Sequence, residues 1–319
     1  MSLSAPSYGQ ILLILLPIFL LIGAGVLAQR VRIISGDAET GLIRLVVLLL
    51  YPCFVFDSVS GASDVTNARS LFVPAILGFL LTSFGVLGGF FTAKAAGFTP
   101  TLHQRTFALA VGINNYSYMP LVIVAGMFGP RVRAILLLYN VGVEAAIWTV
   151  GVFVLTGHSV AESWRRLISP IFVALVLGVV VAQFGLGSQI PGPVSGTIHT
   201  LGVCAVPLGI LLAGVNLASS IHSIRDTVEL RTSLTSVVLR LGVFPAVWLA
   251  VARYAPLLPD LRSVLIVQAA MPTAMISIIA IKLYGGDSKI AARVLLGTTA
   301  CSLLVTPLWI QAGLAWTGP

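Results

Sequence analysis

Long apolar runs, each bounded by short polar or charged clusters, follow one another along almost the whole chain. Ten of them, near residues 10 to 28, 40 to 59, 71 to 93, 104 to 128, 132 to 156, 167 to 184, 197 to 219, 233 to 252, 262 to 283 and 290 to 313, are long enough to cross the roughly 30 Å hydrocarbon layer of a bilayer as helices. In two runs the pattern fails at mid-length. GINNYSYMPL (112 to 121) and VQAAMPTAMIS (267 to 277) bring polar side chains and a proline into otherwise apolar sequence. Backbone left unpaired at membrane depth is costly unless it is buried in protein or lines a wet cavity, so paired interruptions point to a binding site.

Composition supports the same reading. Of 319 residues, 58% are hydrophobic and only 9% charged, with a mean hydropathy of +1.05, which excludes an ordinary soluble domain and predicts an all-α polytopic membrane protein. The net charge of +8 is read as topology, because 13 of the 18 Lys and Arg fall on one side of the spans. Arg69, Arg131, Arg133, Arg253 and Arg262 fall on the other, with Arg131 and Arg133 together against the trend. This bias predicts both termini outside, and no basic stripe suggests nucleic acid. No Lys or Arg precedes the first run, so it reads as a retained span and not a cleaved signal. Cys53, Cys204 and Cys301 lie within apolar runs and are expected to be small buried hydrophobes, without a disulfide or metal spacing.

The chain also echoes itself. Pro17, Ile18 and Phe19 recur as Pro170, Ile171 and Phe172, while Pro52 answers to Pro207 and Pro120 to Pro272, all at nearly the same shift. Five spans per half is an odd number, so the second half enters the membrane from the opposite face. The expected organisation is a first five-helix repeat over 1–156 and an inverted one over 167–319. A loop at 157–166 joins them, carrying His158, Glu162, Arg165 and Arg166, and broken helices 4 and 9 cross.

The fourth span crowds Asn114, Asn115, Tyr116, Ser117 and Tyr118 before Pro120; the ninth offers Gln268, Pro272, Thr273 and Ser277. Proline removes an amide hydrogen and clashes with the preceding turn, which opens the helix. A new half-helix beyond it points amides and a partial positive charge at the break. Two such breaks at mid-membrane would form an anion-friendly site. The other reading of the same residues is a pair of kinks with side chains gluing helices together. Glu144, in LYNVGVEAAIW, is costly in lipid when ionised, and Asn140 lies one turn away on its face. The pair reads either as a proton carrier or as a structural brace. Asn216 and Asp57, near span ends, reach the cavity or the headgroups, and Arg240 and Lys282 are expected to snorkel to the inner surface. Common hydrolase, metal and phosphate-loop motifs are missing, and His103, His158, His199 and His222 fall near span ends, so neither an enzyme nor a cofactor is expected.

LPIFLLIGAGVLAQR (16 to 30), LIRLVVLLLYPCFVF (42 to 56), AAMPTAMISIIAIKLYGGD (269 to 287) and LLGTTACSLLVTPLWI (295 to 310) resemble the auxin efflux carriers and their bacterial relatives. Many relatives carry Asn, Thr and Gly before the first proline, where this chain has Asn114, Asn115, Tyr116 and Ser117. The resemblance implies a ten-helix fold shared with bile-acid and sodium/proton transporters. In it, spans one, two, six and seven form a scaffold that often dimerises, and the other six an elevator-like transport unit. It implies a small organic anion as substrate, such as indole-acetate, malate or malonate, with Asn114, Asn115, Pro120 and Pro272 lining the crossing and Tyr116 and Tyr118 narrowing it. Sodium-coupled relatives place an acidic residue near the crossing; the ninth run has none, so a proton or no coupling ion is expected. The expected protein is therefore a secondary transporter of a small organic carboxylate in the plasma membrane, the inner membrane of a bacterium. A passive channel or a ligand sensor remain the alternatives.

Overall fold

Helix is the only regular structure among the described residues of the computed structural model, which are 6–34, 36–61, 68–99, 101–157, 169–224 and 230–318. Seven helices are long and apolar enough to cross a membrane: α1 (Tyr8–Arg30), α2 (Asp37–Ser60), α3 (Ser70–Ala95), α6 (Pro130–Thr156), α8 (Gly192–Ala218), α9 (Leu230–Tyr254) and α12 (Ser288–Thr317). Five shorter helices lie between them: α4 (Thr101–Gly112), α5 (Tyr118–Met127), α7 (Pro170–Gln183), α10 (Pro259–Ala269) and α11 (Ile276–Leu283). The fourth apolar run is thus split into α4 and α5 and the ninth into α10 and α11, while the sixth forms a helix of only 14 residues. His158, Glu162, Arg165 and Arg166 of the expected inter-repeat loop lie outside the described residues.

The helices are sorted by burial. Only 22% of the most apolar stretch of α1 is covered by protein, against 67% of that of α6. Helix α6 therefore runs through the middle, and α1 shows its side chains to the surroundings. Large apolar residues such as Leu13, Phe72, Phe91 and Leu304 are exposed along the outer faces, as a lipid-facing surface requires. Where apolar surface meets lipid there is little hydrophobic drive between helices, and close backbone approach takes over. Gly25 of α1 and Gly214 of α8 sit so close that a methyl on either would lie 3.0 Å from the other's Cα. Gly142 of α6 likewise packs on Ala75 of α3, which seats α6, and Glu144 with it, against its neighbour.

Two of the long helices widen into a π-helical turn just before a proline: Val46–Leu50 ahead of Pro52 in α2, and Leu239–Val243 ahead of Pro245 in α9. Pro245 has no amide to give the carbonyl four residues back, and Trp309 of α12 supplies the missing donor, its Nε1 reaching Leu241 O at 2.6 Å. These wide turns rotate Tyr51, just past the first, and Arg240, inside the second, relative to a straight helix. Polar pairs sit near helix ends: the ion pair Arg131–Asp260 at 2.9 Å, and the contacts His103–Asp287 at 3.2 Å and His199–Asp57 at 3.0 Å. Asp57 thus meets His199 and not the interior. Cys204 is exposed and Cys53 and Cys301 half-buried, all as free thiols, so none of the three is fully buried as expected.

Candidate functional site

The two interruptions meet. Between Gly112 and Tyr118, and between Ala269 and Ile276, the chain leaves the helix, and the two extended segments pair antiparallel at Asn114 and Thr273. Asn115 N donates to Pro272 O at 2.6 Å, and Ala274 N to Ile113 O at 2.9 Å. Each break thereby satisfies backbone groups that the other exposes, as burial at this depth demands. Proline suits both places. Pro272 only has to accept, and Pro120 is the third residue of α5, in the first turn, where an amide hydrogen has no helical partner to lose.

A buried polar network ties the crossing together. Asn114 Nδ2 donates to Gln268 Oε1 and, at 3.4 Å, to the Gln268 carbonyl. Gln268 Nε2 donates in turn to Tyr116 O at 3.1 Å and to Asn140 Oδ1 at 3.3 Å. The carbonyls at the end of α10 are met from other helices: Ala270 O by Thr306 Oγ1 at 2.8 Å, and Met271 O by Arg240 Nε at 3.1 Å. Thr273 N donates to Thr298 Oγ1 at 3.2 Å, and Ser277 Oγ to Ala274 O at 2.6 Å. Asn114 Oδ1, Thr273 Oγ1 and Asn140 Nδ2 are buried without a partner.

Beside the crossing lies a cavity of about 230 Å³. Asn115, Tyr116, Ser117, Tyr118 and Met119 line it from the first break, and Pro272, Ala274, Met275 and Ile276 from the second. Helices α1, α2 and α8 close it with Phe19, Ile22, Val46, Tyr51, Gly209, Ala213 and Asn216, and α6 contributes Glu144. The first turns of α5 and α11 open onto this space, and neither Ser117 nor Met275 caps them with a side chain, although in α11 the Ala274 and Met275 carbonyls take the amides of Ser277 and Ile278 at 3.3 and 3.0 Å. First-turn amides have no acceptor within their own helix. Tyr51 and Ser117 join their hydroxyls across the cavity wall, and the rings of Tyr51 and Tyr118 meet edge-on at 5.5 Å. Among the described residues, no Lys, Arg or His lines the cavity.

The residues singled out in the sequence divide accordingly. Asn115, Tyr116, Ser117, Tyr118, Pro272, Asn216 and Glu144 face the cavity, whereas Asn114, Pro120, Gln268 and Thr273 are buried behind it. Asn140 does not donate to Glu144: its Oδ1 takes the Gln268 bond, and it lines a second cavity of about 160 Å³. Tyr51, Glu144 and Ile171 line both cavities and so form the wall between them. Lys282 is exposed as expected, but Arg240 does not snorkel: it is fully buried at the crossing. Tyr51 and Met275 had no mark in the sequence beyond a lone tyrosine before Pro52 and a methionine after Pro272.

The sequence model of the membrane transport protein family, the family of auxin-efflux-carrier-like proteins, matches residues 10–164 and 158–310. The chain belongs to this family. The transporter is 24% identical over 306 residues to an uncharacterised transporter of Methanothermobacter thermautotrophicus, covering 92% of this chain and 95% of the relative. An uncharacterised transporter of Methanocaldococcus jannaschii is 21% identical over 304 residues, covering 93% and 96%. Membership and the apolar helices together make this chain a multi-pass membrane transport protein.

Proposed function

We propose that the chain is a secondary active transporter of a small organic carboxylate, held in the cavity beside the crossing and accompanied by a proton on Glu144. The observation that carries this reading is the content of that cavity: the first turn of α5, which no side chain caps, several hydroxyl and amide groups, and, among the described residues, a single carboxyl with no basic side chain. Amides and helix N-termini favour an anion. An ionised Glu144 in the same small space would repel it, because like charges at close range in a poorly solvated site oppose each other strongly. The anion and a neutral Glu144 are therefore compatible, and the anion and a charged Glu144 are not. Binding of the carboxylate then requires one proton, which is the physical content of coupling.

The same reading takes the chain as ten spans in two inverted repeats, with each broken pair counted as one span. The paired prolines support this, and the two matched segments of the family adjoin where the repeats are expected to join. Helices α1, α2, α7 and α8, which pack on one another, would form the scaffold through which two copies associate; the remainder would move past it by an elevator-like step. The location is the plasma membrane, with both termini outside.

The test is uptake into proteoliposomes of a panel of radiolabelled mono- and dicarboxylates under separately imposed proton and sodium gradients. An inward proton gradient is expected to drive accumulation of at least one carboxylate, and a sodium gradient is not. Uptake should fall as pH rises, by roughly tenfold per pH unit once Glu144 ionises, as one linked proton requires. Glu144→Gln, neutral at every pH, should transport with a flat pH profile and lose proton-driven accumulation. An unchanged profile in the variant would remove Glu144 from the coupling.

A further inference from the structure

Arg240 is the one charged residue among the described residues whose side chain is fully buried. Its Nε donates to Met271 O at 3.1 Å, and its guanidinium lies 5.4 Å from the ring centroids of both Phe244 and Trp248, while Nη1 and Nη2 have no hydrogen-bond partner. Among the described residues no carboxylate forms an ion pair with it. The Met271 carbonyl and Tyr139 are among its polar neighbours, and the faces of Phe244 and Trp248 lie against it. A guanidinium keeps its charge throughout the physiological pH range. A full positive charge has been placed here without an anion to explain it.

What it faces is the end of a helix. Helix α10 stops at Ala269, and its terminus carries about half a unit of negative charge. In broken membrane helices, unwound carbonyls and half-helix C-termini of this kind hold a coupling cation. In this chain three successive carbonyls already have donors from three elements: Ala270 O from Thr306, Met271 O from Arg240 and Pro272 O from Asn115. We propose that Arg240 is the fixed counter-charge of the second helix break and stands in for a bound alkali cation, so that transport runs without sodium. The proposal rests on the transporter reading of the crossing. It makes Arg240 a positioning residue that acts through the Met271 carbonyl and does not touch the substrate. The aromatic faces of Phe244 and Trp248 hold the guanidinium in place without neutralising it.

The experiment compares the full chain with Arg240→Lys and Arg240→Gln, each measured in sodium chloride and in choline chloride, by thermal unfolding in detergent and by uptake. The wild type should melt and transport equally in both salts. Arg240→Gln should lose uptake by about tenfold or more in choline, the cost of leaving a buried carbonyl and helix end unpaired. In sodium the same variant should gain a few degrees of melting temperature by binding linkage and recover part of its uptake. Arg240→Lys, which keeps the charge, should retain most of the activity. A sodium requirement in the wild type overturns the proposal. So does a folded Arg240→Gln that is indifferent to sodium, whether active or impaired, or an Arg240→Lys as defective as Arg240→Gln. Should Arg240→Gln fail to fold, the wild-type salt comparison and Arg240→Lys still decide. The melting measurements need no substrate, so they stay readable even where the carboxylate panel fails.

Discussion

Gln268→Glu is expected to abolish uptake, although the replacement has almost the same size and shape. Two neighbours fix the orientation of the native amide. The Tyr116 carbonyl can only accept, so Nε2 must face it, and Asn114 Nδ2, which also donates to the Gln268 carbonyl, faces Oε1. A carboxylate in this place keeps the bond from Asn114 but turns an oxygen towards Tyr116 O and Asn140 Oδ1, which lose their shared donor. Each buried group left unmatched costs about 1 to 3 kcal/mol. Two of them, with the added charge in a fully buried position, correspond to a loss of about thirtyfold or more. Gln268→Ala, which leaves the same acceptors empty but adds no charge, should be no worse. Uptake at matched levels of inserted protein checks this, and a Gln268→Glu variant within a factor of about two of the wild type, well inside one such penalty, would show that the network does not hold the crossing.

Much of this architecture could be read from the chain because lipid imposes a strict pattern. Any polar cluster such as Asn114 to Tyr118 stands out against apolar sequence, and Pro120 and Pro272 mark where the helices open. Those positions do become the breaks, and they meet. What sequence could not supply is which partner each polar group has. Asn114 and Gln268 looked like ligand donors, but they spend their amides on each other across 154 residues, and that pairing depends on the fold and not on local spacing. One helical turn separates Asn140 from Glu144, which predicts that they pair; the Asn140 Oδ1 accepts from Gln268 on another helix instead. The distance of Arg240 from the end of its run predicts a place at the surface. Linear distance says nothing about facing, and the wide turn before Pro245 carries the guanidinium to Met271. Tyr51 is silent in the sequence for the opposite reason: a single tyrosine in an apolar run carries no signal of the Ser117 hydroxyl that the fold brings beside it.

Filling the cavity should separate its role from that of the network behind it. Ala213 of α8 lines the cavity and is half-buried, whereas its neighbour Gly214 turns towards Gly25 of α1 and holds the helices together. Ala213→Phe therefore projects a ring into a space of about 230 Å³ without touching the crossing's hydrogen bonds or the α1–α8 contact. Because the ring enters existing empty volume, the overpacking cost that a filled core would exact is largely avoided. The fold should survive while the solute is excluded. Ala213→Ser, which adds little volume, serves as the control and should transport normally.

The most direct measurement is carboxylate uptake by proteoliposomes holding equal amounts of folded wild type, Ala213→Ser and Ala213→Phe, with melting temperatures recorded alongside. The account predicts that Ala213→Phe melts close to the wild type yet takes up no more than empty vesicles. Ala213→Phe that is inserted, stable and as active as the wild type would place the transported solute somewhere other than the cavity beside the crossed helices.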